Sequence, residues 1–208
     1  MVKLNAPCLS LAASGKLGDA LVFASWKGRP YARQLVYPAN PRSGGQVGVR
    51  AMMKFLSQNW AGLTAGEQAD WEDRAEDMII SPFNAFISYN LTRWRNYLGP
   101  SQLDPATEAG VDAGLANITS TAGVRQITLS ADSNGAGDPW GIIWYRSPTA
   151  IFTPSFSNCI AVIPAEAADT FTFVDTPLDP GEYFYNQDVF SATGHRTPAD
   201  FEHSATVT

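Results

Sequence analysis

The chain has 208 residues, 45% of them apolar and 16% charged, with a net charge of −6. That length and apolar content can bury a core and suit one or two domains, which excludes a chain disordered throughout. The charge is divided: residues 1–100 hold 11 of the 14 Lys+Arg and 7 of the 20 Asp+Glu, a net +4, while residues 101–208 hold 3 and 13, a net −10. A basic segment followed by an acidic one points to an electrostatic partner for the first.

The two cysteines, Cys8 and Cys159, fall in segments that read as separate units, so two reduced thiols are expected and not a bridge. The N-terminal stretch MVKLNAPCLSLAAS has no unbroken apolar core, which argues against a signal peptide, and no run approaches the ~20 apolar residues of a membrane span. Synthesis in the cytoplasm, without a membrane partner, is the expectation.

Residues 15–41, GKLGDALVFASWKGRPYARQLVYPANP, interleave apolar, aromatic and basic side chains around one acid, Asp19. Within the first fifty residues Lys3, Lys16, Lys27, Arg29, Arg33, Arg42 and Arg50 face that acid alone. Two β-like runs, 20–26 and 31–37, flank Lys27-Gly28-Arg29-Pro30 and predict a hairpin. An isolated hairpin is barely stable in water, so helices of the same chain or a neighbouring subunit must complete it. The stretch 38–45, rich in Pro and Gly, reads as an extended connector. Residues 1–45 are thus expected to form an extended basic arm with a hairpin.

Residues 46–100 are expected to be a three-helix region. Val49, Met52, Met53, Leu56 and Trp60 lie on one helical stripe. Thr64 and Glu67 form a capping box for a second helix, with Trp71, Ala75 and Met78 inward and Glu72, Asp73, Arg74, Glu76 and Asp77 outward. Ser81-Pro82 starts a third, with Phe83, Ile87, Leu91, Trp94 and Leu98 on one face, closed by Gly99-Pro100. Residues 101–113 read as a linker.

From residue 114 to 208 the pattern turns to period-two strands broken by Gly, Pro, Asn and Asp. Seven are expected, at 115–120, 124–131, 140–146, 159–163, 170–174, 182–191 and 202–208, a count that fits an antiparallel sandwich. Gln126 to Ser130, Trp140 to Ser147, Phe171 to Thr176 and Leu178 to Tyr185 resemble strands B, C, E and the entry to F of bacterial and viral fibronectin type III domains. The usual strand-B tryptophan is absent, leaving Trp140 or Trp144 to fill its space. The expected class is α+β and multidomain: a β-hairpin arm, three helices and an immunoglobulin/fibronectin III-like antiparallel sandwich.

The first half carries a second resemblance. SGKLGDALVFASWKGRPYARQLVYPANPRSGGQVGVR, then NWAGLTAGEQADWEDRA, then SPFNAFISYNLTRW, is similar to a group of phage and prophage proteins with a basic arm, a tryptophan-bearing helix pair and a following β-domain. Gly44-Gly45 departs from the small polar pair usual before Gln46. The resemblance implies a virion structural protein made in the host cytoplasm, a minor capsid or head-decoration subunit or else a tail or connector component. Its partners would be other virion proteins, with many copies and a homo-oligomer in view.

Chemistry finds little to build on. Ser14-Gly15-Lys16 lacks the first glycine and the following Ser/Thr of a phosphate loop. His195 and His203 have no ligand-like spacing. Asp132 to Asp138 lacks the glutamate of a calcium loop, and the Glu72/Glu76 and Asp73/Asp77 pairs suit a solvated helix face. No catalytic residue, cofactor or metal is expected, and the chain is not read as an enzyme.

The arm itself is the candidate site, through Phe23, Trp26, Arg29, Tyr31, Arg33, Tyr37, Arg42 and Arg50. Such residues can stack on single-stranded nucleic acid, but alternation of cations with β-branched and aromatic positions fits a strand pair lying on an acidic protein better. A third class, a host-glycan module using Trp140, Trp144 or Tyr145, is the remaining alternative.

Overall fold

The computed structural model describes residues 2–3, 14–26, 28–37, 39–40, 42–110, 114–133, 139–165, 170–198 and 202–208. Cys8 and residues 134–138 of the Asp132 to Asp138 stretch lie outside them. The chain divides into two compact units, Met1–Pro41 and Arg42–Thr208.

The first unit is an antiparallel sheet of β1 (Val2–Lys3), β2 (Gly15–Leu17), β3 (Leu21–Trp26) and β4 (Arg29–Gln34), in the order β1-β4-β3-β2. The expected hairpin is its centre: Trp26 pairs with Arg29 across a two-residue turn in which Gly28 takes φ +73°. A left-handed position there suits glycine. Strands β1 and β2 of the same unit extend the hairpin on both sides.

The second unit starts with α1 (Gly44–Asn59), a 3₁₀ turn (Trp60–Gly62), α2 (Ala65–Met78) and α3 (Pro82–Arg95). Gly44 and Gly45, expected in the connector, instead open α1. The capping box is present: the Glu67 amide donates to Thr64 Oγ1 at 3.3 Å and the Thr64 amide to Glu67 Oε2 at 2.7 Å. Ser81 caps α3 by accepting from the Asn84 amide, with Pro82 in the first turn. The inward face of α1 differs from the expected stripe. Gly48, Met52, Phe55 and Leu56 are buried, while Val49 and Met53 are exposed. The reason is close approach: a Cβ on Gly48 would stand 2.8 Å from the Phe156 carbonyl oxygen, so only a glycine lets the helix settle there. Met78 and Leu98, expected inward, are exposed as well.

Eight strands follow: β5 (Leu115–Gly123), β6 (Gln126–Ser133), β7 (Pro139–Ser147), β8 (Cys159–Pro164), β9 (Thr170–Asp175), β10 (Gly181–Ser191), β11 (Arg196–Pro198) and β12 (His203–Val207). All seven expected strands are present, and β11 is added. They form two antiparallel sheets, β5-β6-β9 and β11-β10-β7-β8 with β12 also on β10.

Two apolar clusters place the layers. Ile127, Leu129, Ala131 and Phe171 of the smaller sheet meet Ile142, Trp144, Tyr185, Val189 and Ala205 of the larger. On the other face of the larger sheet, Ile143, Tyr145, Val162 and Phe190 meet Met52, Phe55, Leu56, Phe86 and Trp94 of the helices. Phe55 lies edge-on to Trp140 at 4.8 Å and to Phe190 at 5.3 Å between ring centroids. Each such ring contributes ~1.5–3 kcal/mol through burial. The larger sheet is therefore a middle layer, covered on both faces, which is why β7 is buried almost throughout.

The expected linker is not a spacer where it is described. Ser101 is fully buried, donating its amide to Asn90 Oδ1 at 2.6 Å and accepting from Asn90 Nδ2 at 2.9 Å. Trp71 Nε1 donates to the Gln102 carbonyl at 2.9 Å, and Arg74 Nη2 to Asp104 Oδ1 at 2.6 Å. The helical region and the sandwich thus share one body, and the division of the chain falls at 41/42.

Candidate functional site

Strand registers sort the arm residues onto two faces, because side chains alternate along each strand and directly paired residues share a side. Val22 pairs with Arg33, Ala24 with Tyr31, Trp26 with Arg29, and Lys16 with Val22. One face therefore carries Lys16, Arg29 and Arg33 with Trp26 and Tyr31. The opposite face carries Leu17, Leu21, Phe23, Ser25, Pro30, Ala32 and Gln34, paired Leu17–Leu21, Phe23–Ala32, Ser25–Pro30 and Leu21–Gln34, and has no charge. The sheet is amphipathic, with a basic-aromatic side and an apolar side.

Neither side is closed over in residues 14–26, 28–37 and 39–40: none of these is buried, Val22, Phe23, Ala24, Tyr31 and Ala32 are half-buried, and Trp26 is 66% exposed and Leu17 56%. Tyr37 lies beyond β4 against the basic side, its ring 5.6 Å from Lys16 Nζ and its hydroxyl donating to Asp19 Oδ1 at 3.2 Å. So the structure brings together Trp26, Arg29, Tyr31 and Arg33, adds Lys16 and Tyr37 beside them, and puts Phe23 on the other face.

Arg42 and Arg50 belong to the second unit. With Lys54, which lies one helical turn beyond Arg50, they edge an open groove of about 450 Å³ whose floor is Val47, Ala51, Ile160 to Ile163 and Phe173. The groove runs along β8, the last strand of its sheet. Lys54 and Lys16 lie beside the expected arm residues without being among them, although the spacing of Lys54 from Arg50 and the alternation of Lys16 with Leu17 carry the signal.

The Arg74 guanidinium is raised chiefly by its hydrogen bond to Asp104, whereas burial is the main cause at the other groups with displaced titration. Desolvation pushes the Cys159 thiol up to about 12, a state of low reactivity for a free, buried cysteine. It also raises Tyr145, aided by the nearby Asp188 carboxylate, and Tyr185, whose hydroxyl donates to Asp175 Oδ2 at 3.0 Å. Burial lowers His203 to about 4, its Nε2 lying 3.1 Å from Gln187 Oε1 and its ring stacked on Tyr185. Among the described residues no group of three or more His, Cys, Asp or Glu is placed to hold a metal ion, and no helix is long and apolar enough to cross a membrane.

Trp140, Trp144 and Tyr145, the aromatics named for a glycan site, are all buried. Trp144 sits in the cluster between the sheets, and Trp140 and Tyr145 in the cluster under the helices. They form core and cannot stack on an external sugar.

No protein-family model matches the chain. No curated protein matches it either. Among solved structures, a β-1,2-glucanase from Parabacteroides distasonis is similar at 18% identity and a TM-score of 0.36, over 48% of this chain and 13% of that one. A likeness that slight carries no argument about activity.

Proposed function

We propose that the chain is a structural protein of a bacteriophage virion, a minor capsid or head-decoration subunit held by the sheet of residues 1–41, with a fibronectin type III-like sandwich facing outward. A tail or connector component is the near variant of the same proposal. The observation that carries it is the uncovered amphipathic sheet. A unit in which none of residues 14–26, 28–37 and 39–40 is buried gains little from its own packing and needs a further surface to acquire a core. The motif order of the first half, which resembles phage and prophage proteins, gives that other molecule its class.

The aromatic and backbone groups of the sheet supply the hold, while Arg29 and Arg33 set orientation. A basic-aromatic face can also stack on nucleic acid, but the uncharged face behind it has no use for phosphate and fits protein. The test is mass spectrometry and cryo-EM of purified particles. The proposal expects the chain in many copies at regular positions; its absence from particles that otherwise assemble contradicts it.

A further inference from the structure

The basic side of the sheet needs an acidic surface, and the chain carries one. Residues 1–41 hold five of the 14 cations and one of the 20 acids, a net +4; residues 42–208 hold nine and 19, a net −10. Much of that acidity is on α2. Asp70, Glu72, Asp73, Glu76 and Asp77 are all exposed, and none of them makes an ion pair among the described residues. The single cation of α2, Arg74, is already engaged by Asp104. Beyond the acids the helix ends in an exposed apolar tip, Met78, Ile79 and Ile80, with Ile79 93% exposed.

We propose that the basic-aromatic face of the sheet docks on the outer face of α2 in a second copy of the chain, joining copies head to tail. The inference rests on the sheet being the anchor and names its partner. The dimensions agree: Asp70 to Asp77 spans about 10 Å along a helix, and Arg29 to Arg33 about 13 Å along a strand. With Arg33 at the Asp70/Asp73 end and Arg29 at Asp77, Trp26, which pairs with Arg29, meets the apolar tip at Met78 and Ile79. Cations then face carboxylates while the exposed tryptophan covers the exposed isoleucine. Arginine suits this contact, since its planar donors match carboxylates two at a time. Because the two surfaces differ, the contact is heterologous and closes into a ring or continues as an array.

Sedimentation velocity of the full chain at low salt tests this with three proteins: wild type, Arg29→Glu/Arg33→Glu, and Asp73→Lys/Asp77→Lys. The wild type should associate with rising concentration. Each variant alone should associate at least tenfold more weakly, and an equimolar mixture of the two should associate again, which also shows that both are folded. A wild type that stays monomeric overturns the proposal, as do variants that associate like the wild type. So does a monomeric wild type that instead binds a single-stranded oligonucleotide. Failure here with the sheet still required for entry into particles leaves the anchor reading standing and removes only the second copy as its partner.

Discussion

The Arg93 side chain on α3 donates from Nη2 to the carbonyl of Gly194 at 3.1 Å, across 101 residues of sequence. The same guanidinium donates to the Gly99 carbonyl at 2.8 Å and pairs with Glu108 at 3.0 Å, and it is nearly fully buried. One cation thus ties the third helix and its end at Gly99 to Glu108 of the expected linker and to the turn after β10, in a single body.

Replacing Arg93 with Ala leaves two buried carbonyls without their charged donor, at a cost of about 2–3 kcal/mol. Chemical denaturation should show that loss, with the helical far-UV signal and the tryptophan fluorescence falling in one transition. Two separated transitions would mean that helices and sheets unfold independently.

A fragment of residues 101–208 should not behave as a soluble monomer. Removing the helices exposes Ile143, Tyr145, Val162 and Phe190 on one sheet face, an apolar patch of the kind that drives association. Strong binding of a hydrophobic dye, or aggregation, is expected; a monodisperse fragment with little dye binding would count against the shared core.

Gly48→Ala sets helix propensity against packing. The change should gain about 1 kcal/mol in an open helix, yet the new Cβ would stand 2.8 Å from the Phe156 carbonyl oxygen and 3.1 Å from Cys159 Cβ. Overpacking of that kind costs about 1–3 kcal/mol, so net destabilisation is expected. Gly45→Ala, which meets nothing within 4 Å, should be neutral or mildly stabilising under the same denaturant melt.

His203 makes stability depend on pH. Burial lowers it from its ordinary 6.5 to about 4, so the unfolded chain binds the proton more readily than the folded one. Its contribution is fully present above pH 6.5 and is lost as pH falls toward 4. His203→Gln, neutral throughout, should flatten the stability curve over that window.

Much of this fold was legible in the sequence because its signals are local. Gly and Pro punctuate period-two runs, so the strands from Leu115 to Val207 were found, and Thr64, Glu67, Ser81 and Pro82 mark the helix starts they occupy. What was not legible is how surfaces are shared. The unbroken run Trp140 to Tyr145 reads as a strand, but its continuous apolarity also signals burial on both faces, the mark of a middle layer. The rotation of α1 escaped notice because glycine does not register as an apolar residue, although Gly48 is where the helix comes closest. Asn90 and Arg93 look like surface residues because the groups that bury them, the backbone of Ser101 and Gly194 among them, come from segments beyond their own helix. In the candidate site, the sequence puts Phe23, Trp26, Arg29, Tyr31 and Arg33 in one arm, and the hairpin register was needed to group the last four and put Phe23 on the opposite side. Arg42 and Arg50 follow the arm in sequence but belong to the compact body, where α1 carries one of them.

The central claim is that the sheet of residues 1–41 is an anchor. Truncation at 41/42, leaving residues 42–208 with both apolar clusters intact, should give a folded protein whose melting matches that of the full chain. Its occupancy on particles assembled in the presence of the truncated chain alone is the most direct measurement. The account predicts occupancy near zero; normal occupancy by the truncated protein would contradict it.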